Sequence, residues 1–363
     1  MSRLNPPPTY QLYIHPKDII ELRKDIWSDD PVPGTFTLNK KKYLIDIVYR
    51  GSHIRKLPKK SYHVSFYKPS LFRGAKELHL NSEYNDRSLI RNKLSLDFFS
   101  EIGVLAPHSQ HVLLKINGKM SGLYLELESV DEHFLKKRQL AEGAIFYAVD
   151  GDANFSLISD LDKETKKSLS LGYERKYGTV DDGFYLEKMI YDINTLSNQE
   201  FKKEIKNIIH VDKYLRWLAG IVFTQNYDGF VHNYALYRNK ETGLFELIPW
   251  DYDATWGRDV NGRYMDAGYV PIEGYNTLTA RILDVDEYRK DYRNLIKGML
   301  DQEFTLDFLQ PKIEDLHQFI RPYVLMDPYV KDKIDDFDSE LQFIVQFIKD
   351  RRDYLTSRLY KLE

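Results

Sequence analysis

A chain of 363 residues with 42% hydrophobic and 14% aromatic residues can bury a large core, and its length favours one fold unit divided into two lobes. The 52 basic and 55 acidic residues give a formal charge of -3, which removes any global electrostatic argument for nucleic acid or an anionic membrane as partner. There are no cysteines, which excludes structural disulfides and thiolate metal sites.

The first sixteen residues, MSRLNPPPTYQLYIHP, contain no apolar export core, and no run of about 18 apolar residues occurs anywhere, so neither an export signal of the usual kind nor a membrane span is expected. Residues 9–15 read as a strand and 16–26 as a short helix with Ile19, Leu22 and Ile26 on one face. Pro31, Pro33 and Gly34 are expected to break the chain. Two strands follow within 35–49, joined at Asn39-Lys40. A basic loop then runs from Arg50 to Lys60 and feeds a strand at 61–67. Tyr62, Val64 and Phe66 share one face of that strand, and a period of 2 puts Lys60 in phase with them and Lys59 on the opposite side. Lys60 is therefore expected to point inward and to need an anionic partner, a nucleotide phosphate or an acid such as Asp97 or Glu101.

Residues 85–88 open a helix, with Ser88 as candidate cap, and 89–102 carry helical spacing that Gly103 ends. Strands at 111–116 and 123–128 are joined through Asn117-Gly118 or Gly122. A charged helical segment, 133–140, marks the lobe boundary: a β-rich lobe over 1–130 and a mainly helical one over 131–363. A strand at 144–149 lies beyond it, and 150–183 read as an irregular, polar excursion. Helix 211–223 is apolar along one stripe. After Arg258 a glycine-containing loop is long enough to be mobile or to receive a substrate. Amphipathic helices close the chain, punctuated by Pro311, Pro322 and Pro328.

The chemistry concentrates in FTQNYDGFVHNYALYRNKETGLFELIPWDYDATWGR, residues 223–258. The order is helix, Asp228, Asn233, strand, turn at 240–243, strand, Asp251. Asp228 stands on a loop where a carboxylate can accept a hydroxyl proton, while Asn233 and Asp251 offer the neutral and anionic oxygens that magnesium prefers. Asp253 is an alternative ligand. Protein kinases carry the same order of parts, with Asn226-Tyr227-Asp228 in place of His-Arg-Asp and Asp251-Tyr252-Asp253 in place of Asp-Phe-Gly. A glycine-rich G-x-G-x-x-G loop, a Walker A motif and an Ala-Pro-Glu motif do not occur.

The motifs RGSHIRKLPKKSYHVSF at 50–66, RNKLSLDFF at 91–99, GLYLELESVDE at 122–132, GAIFYAVD at 143–150, NYDGFVHNYALYR at 226–238 and IPWDYDATWGRD at 248–259 resemble the CotH family of spore coat proteins and atypical kinases across nearly the whole chain. The resemblance implies an α+β, divergent protein-kinase-like fold and an ATP-dependent serine/threonine kinase with Mg²⁺ or Mn²⁺. Its partners would be other spore coat proteins, with lysine- and serine-rich acceptor segments, and the protein would join the spore coat from the mother-cell cytoplasm. By position, Asp228 would be the catalytic aspartate, and Asp251 the metal ligand assisted by Asn233. Lys60, with Arg50 or Ser52, would contact phosphates, and Tyr147 and Trp250 would hold the adenine between them. Two other readings stand beside it: a non-catalytic coat scaffold, and a carboxylate-pair hydrolase built on Asp228, Asp251 and Asp253.

Overall fold

The computed structural model describes residues 5–363, an α+β protein that is rich in strands in its N-terminal part and in helices in its C-terminal part. It divides into two compact units, and each is built from more than one stretch of chain. Among the described residues the first comprises 5–93, 107–129 and 312–341; the second comprises 94–106, 130–311 and 342–363.

The first unit contains a closed barrel of seven strands: β1 (Thr9–Ile14), β2 (Val32–Leu38), β3 (Lys41–Arg50), β4 (Ser61–Phe66), β5 (Glu77–Asn81), β6 (Ser109–Ile116) and β7 (Lys119–Glu128). Their order around the barrel is β1, β2, β3, β4, β5, β7, β6, and a parallel β1–β6 pairing closes it. Alternation drives the closure: Ile45, Ile47 and Tyr49 of β3 and Tyr62, Val64 and Phe66 of β4 are all buried in one core. Tyr10, Phe36, Tyr43, Phe66 and Phe72 fill the barrel, mostly edge to face, as with Tyr10 and Phe36 at 4.8 Å. Helix α1 (Pro16–Lys24) packs Leu22 onto the same core.

The β2–β3 turn falls at Asn39 and Lys40, both at positive φ (47° and 67°), as a two-residue hairpin requires. Contrary to expectation, Pro33 and Gly34 do not break the chain but lie inside β2. Gly34 is tolerated there because a Cβ would come within 3.0 Å of the Tyr13 carbonyl on β1. The β6–β7 turn is Asn117-Gly118, while Gly122 sits within β7. Strand β5 had no sequence signal, since Glu77, His79 and Asn81 read as surface residues and all five positions are buried.

Helix α2 (Arg91–Glu101) begins two residues later than expected because Leu89 has φ 56°. Its first amide, that of Arg91, is taken by Asp86 Oδ2 at 2.9 Å. Further elements are α3 (Glu132–Lys137), β8 (Gly143–Ala148), β9 (Tyr173–Tyr177), α4 (Asp182–Thr195), α5 (Asn198–Glu204) and α6 (Val211–Thr224). Then come β10 (Tyr234–Asn239), β11 (Phe245–Pro249), α7 (Thr277–Leu283), α8 (Asp286–Asp301), α9 (Leu306–Val324) and α10 (Ile334–Arg358). In the second unit β11, β10, β8 and β9 form one antiparallel sheet in that order. Strand β9 lies within the stretch that reads as irregular, and it exists by pairing with β8.

Pro311 and Pro322 lie inside α9 and so do not punctuate it. An interior proline costs about 3 kcal/mol, and the burial of Leu309, Ile313, Ile320 and Val324 on that helix offsets it at roughly 1.5–3 kcal/mol each. No helix among the described residues is long and apolar enough to cross a membrane.

Candidate active site

Helix α6 delivers the chain to the central loop. It buries Tyr214, Trp217, Leu218, Ile221 and Val222, and Gly220 lets it lie against Phe99, whose ring would be 2.3 Å from any Cβ. The helix stops at Gln225, which adopts the left-handed conformation (φ 59°). Asn226, 1% exposed, braces the loop by accepting the Gly229 amide at 3.0 Å, while its Nδ2 is buried without a partner among the described residues. Asp228 then starts a short 3-10 turn, and its carbonyl accepts the amides of Val231 and His232 at 3.1 and 2.9 Å. These bonds fix the Asp228 backbone, leave its carboxylate partly open to solvent, and bring His232 Nε2 to 4.0 Å from Oδ2.

The β10–β11 hairpin does what the sequence order suggested for two of the expected residues. Its register pairs Tyr234 with Pro249, so the residues just outside, Asn233 and Trp250, face each other, with the Trp250 amide on the Asn233 carbonyl at 3.1 Å. Asn233 Nδ2 donates to the Asp251 carbonyl at 3.2 Å. Both residues sit at positive φ, 59° and 61°. Left-handed backbone at a non-glycine residue is uncommon, and two such residues bonded to each other at one hairpin end form a local concentration of strain of the kind that gathers at functional sites.

With Nδ2 bonded to the Asp251 backbone carbonyl, the amide oxygen is the atom of Asn233 suited to act as a ligand, and the Asp251 carboxylate is the anionic oxygen donor next to it in the hairpin register. These hard oxygens suit Mg²⁺, which takes one or two carboxylates and completes its shell with waters and substrate phosphates. Among the described residues no group of three His, Cys, Asp or Glu side chains is placed to hold a metal ion. Tyr252, between Asp251 and Asp253, is buried against Phe99 at 5.0 Å, and burial pushes its phenol well above the usual range.

Tyr147 and Trp250 are neighbours, on β8 and just past β11. They meet edge to face with centroids 5.0 Å apart, and the Tyr147 hydroxyl accepts the Val130 amide at 2.8 Å. In this arrangement they pack on each other and leave no gap for a base between them.

Arg50, Ser52 and Lys60 belong to the barrel unit. Arg50 ends β3 with its guanidinium on Asn81 Oδ1, and Ser52 is exposed at the start of a 3-10 turn. The expectation that Lys60 points inward is overturned. Lys60 is half-buried, donates to the Arg55 carbonyl and lies 5.8 Å from the Tyr49 ring centre. Lys59 is the buried lysine, 0% exposed, with Nζ 2.8 Å from Asp327 Oδ2 and on the Leu123 carbonyl at 2.5 Å. Burial lowers the Lys59 pKa, and Asp327 opposes that shift. Lys59 Nζ also lies 4.7 Å from the ring centre of Tyr124, a residue of the barrel core, so the alternation argument, which set Lys59 opposite the inward face, did not anticipate its burial. Nor could it supply Asp327 as the partner. Asp327 also accepts the Leu123 amide, and no local pattern announces a partner so distant in sequence. Asn226, which stands where the kinase motif has its histidine, was given no role of its own, because one asparagine in a polar loop carries no spacing signal.

Comparison with known proteins bears on this arrangement. Residues 47–355 match the family model described as CotH kinase protein. The chain is 62% identical over 352 residues to inner spore coat protein H of Bacillus subtilis (strain 168), covering 97% of each. It is 28% identical over 307 residues to the inner spore coat protein H-like protein of the same organism, covering 84% of this chain and 87% of that relative. Among solved structures, similarity extends to the Shewanella oneidensis MR-1 toxin–antitoxin complex of HipA, HipB and operator DNA, at 12% identity and TM-score 0.37, with 97% of this chain and 76% of that one covered. It extends also to the Helicobacter pylori proinflammatory kinase CtkA, at 10% identity and TM-score 0.33, with 93% of each chain covered. The family match and the coat protein relatives together establish that this chain belongs to the CotH family.

Proposed function

We propose that this protein is an ATP-dependent serine/threonine kinase of the spore coat, acting on other coat proteins. The observation that carries the reading is the pairing of Asn233 and Asp251, both in the left-handed conformation and bonded to each other at the mouth of the β10–β11 hairpin. The family match and the coat protein relative support it.

In this reading Asp251 and the Asn233 amide oxygen hold the divalent cation, and the triphosphate with its Mg²⁺ supplies the transferable phosphoryl group and neutralises charge. Asp228 accepts the acceptor hydroxyl's proton on its carboxylate, which the backbone bonds at Val231 and His232 keep in place. Asn226 holds that loop's curvature through Gly229. Catalysis then rests on alignment and preorganised charge, with no covalent enzyme intermediate.

Transfer of labelled γ-phosphate to a serine-rich acceptor is the test. Asp228→Asn and Asp251→Ala should each lower the rate by at least about 10³-fold, on the scale of losing one preorganised catalytic group, with circular dichroism unchanged. Full activity in both variants would reject the assignment.

One observation favours a second reading, a non-catalytic coat scaffold: the edge-to-face contact of Tyr147 with Trp250 fills the space a base would take. Calorimetry separates the two. Metal-dependent ATP binding that Trp250→Ala weakens supports the kinase, and the absence of any such binding supports the scaffold.

A further inference from the structure

The chain between Asp251 and α7, residues 252–276, lies outside the helices and strands of the second unit, yet it is fastened along its length. Trp256 anchors its start: it is 0% exposed, its ring stacks 6.1 Å from that of Phe304, and its Nε1 donates to Ser95 Oγ at 2.9 Å. The Trp256 amide donates to the Thr224 carbonyl, at the end of α6, at 2.8 Å. Gly257 has no room for a side chain, since a Cβ would meet Phe347 at 2.9 Å. The Met265 amide returns to the Gly257 carbonyl at 2.9 Å. Further along, Gln225 Nε2 donates to the Asp266 carbonyl at 2.6 Å, the Tyr292 hydroxyl to that of Ile272 at 3.0 Å, and Asn276 Nδ2 to that of Phe230 at 2.8 Å. A stretch long enough to be mobile is thus held at both ends and in the middle.

Arg351 on α10 is the centre of this fastening. Its side chain is 0% exposed, and every hydrogen bond it makes among the described residues goes to a main-chain carbonyl. Nε and Nη2 donate to Val222 at 2.9 and 2.5 Å, and Nη1 donates to Ala267 and Val270 at 2.6 and 2.7 Å. Burial lowers its pKa to about 9, so it keeps its charge at neutral pH. A buried charge is costly to maintain, and one that binds only carbonyls serves to join the backbone segments that carry them. Those segments are the last turn of α6, which leads to Asp228, and the middle of the loop that follows Asp251. In kinases that are switched, arginine holds this stretch by gripping a phosphorylated residue within it. Here the carbonyls of Ala267 and Val270 receive the guanidinium directly.

The composition of the segment points the same way. Residues 252–276 contain no serine, and their one threonine, Thr255, is 0% exposed with its hydroxyl on the Tyr252 carbonyl at 2.8 Å. A serine/threonine kinase finds no accessible acceptor there.

We infer that Arg351 is a positioning residue for phosphoryl transfer: it sets residues 252–276 against the end of α6 and gives them their working arrangement without phosphorylation. This rests on the kinase reading above and adds what holds that site ready. Arg351 touches no reacting group and acts through Val222 and the loop. A displacement on the order of 1 Å, even far from the chemistry, lowers a rate about 10²-fold. Lysine keeps the charge but replaces the planar fork with a single point, so it cannot span both segments.

The test uses the full chain and a serine-rich acceptor protein. Phosphatase-treated protein, shown by intact mass to carry no phosphate, should transfer labelled γ-phosphate within about twofold of the untreated rate and without a lag. A lag, or activity that depends on a phosphate mapped to 252–276, overturns the inference. Arg351→Lys should lower kcat about 10²-fold while the Kd for ATP moves less than about twofold, with amide hydrogen exchange quickened across 257–272. An unchanged kcat overturns the inference, and so does a loss of ATP affinity that matches the loss of kcat, which makes Arg351 a residue of general stability. If the lysine variant does not fold, Gln225→Asn decides: asparagine accepts the left-handed backbone but is one methylene short of the Asp266 carbonyl. It should lower kcat about tenfold with the Kd for ATP unmoved, and an unchanged kcat overturns the inference. Absence of transfer by the unaltered protein in either state overturns the kinase reading instead. Hydrogen exchange then still judges the fastening, and exchange across 257–272 that stays slow in Arg351→Lys shows that the guanidinium does not hold the segment.

Discussion

At the scale of single residues, the left-handed conformations of Asn233 and Asp251 set function against stability. Glycine adopts such backbone without penalty, so Asp251→Gly removes local strain on the order of 1 kcal/mol while deleting the expected metal ligand. Chemical denaturation should therefore find this variant at least as stable as the parent and devoid of phosphate transfer; a loss of stability beyond about 1 kcal/mol would show that the Asp251 side chain holds the fold as well. A second residue makes stability depend on acidity. His111 on β6 is 4% exposed, bonds the Leu89 carbonyl through Nε2 at 2.8 Å, and has a buried Nδ1 without a partner among the described residues. Burial pushes its pKa from 6.5 down to about 4. Below 6.5 the unfolded chain binds a proton that the folded protein refuses, so stability falls as pH drops from 6.5 towards 4, by up to roughly 3 kcal/mol from this group. Denaturation curves of His111→Gln should lose much less over that window than those of the parent, and parallel profiles would rule the group out.

At the scale of elements, the segment around Asp327 locks β7 to the lysine before β4. A Cβ on Gly122, at φ 114°, would lie 2.2 Å from the Asp327 carboxylate. Lys59→Met leaves that carboxylate buried and unpaired and should cost about 3–5 kcal/mol, whereas Lys60→Met should stay within about 0.5 kcal/mol. Equal losses in urea titrations would contradict the distinction drawn between the two lysines. The same contrast explains what could be read from the chain beforehand. The β10–β11 hairpin was legible, because apolar alternation on both sides of a turn at 240–243 fixes its register, and register alone brings Asn233 to Asp251. The β2–β3 turn was legible for the same reason. Strands β5 and β9 were not, since five residues carry little periodic signal and both depend on partners outside their own segment. Lys59 was misjudged because periodicity does not announce a partner as remote in sequence as Asp327. The adenine expectation for Tyr147 and Trp250 named two residues that do touch, yet sequence order carries no information on whether two rings stand apart or pack together.

At the scale of the whole molecule, the first unit is assembled from widely separated stretches, and residues 312–341 supply charges that its barrel-side partners require. Asp327 neutralises Lys59, and Glu340 meets Arg91 Nη2 at 2.5 Å, with Asp86 on its other nitrogen. All of these side chains are essentially inaccessible to solvent. A fragment of residues 1–129 lacks both distant acids and should give no cooperative melt or dispersed amide spectrum, while joining 312–341 to it through a flexible linker should restore both. A folded, cooperative fragment without that addition would show that the late segment merely decorates the barrel.

The borrowed segment also imposes a schedule on synthesis. On a ribosome adding roughly 5–20 residues per second, Lys59 emerges on the order of tens of seconds before Asp327, and Arg91, which has Asp86 from the start, likewise precedes Glu340. The nascent chain must hold the Lys59 ammonium out of the interior until the segment that carries Asp327 has left the exit tunnel, so the earliest part of this protein to be made is among the last to become native.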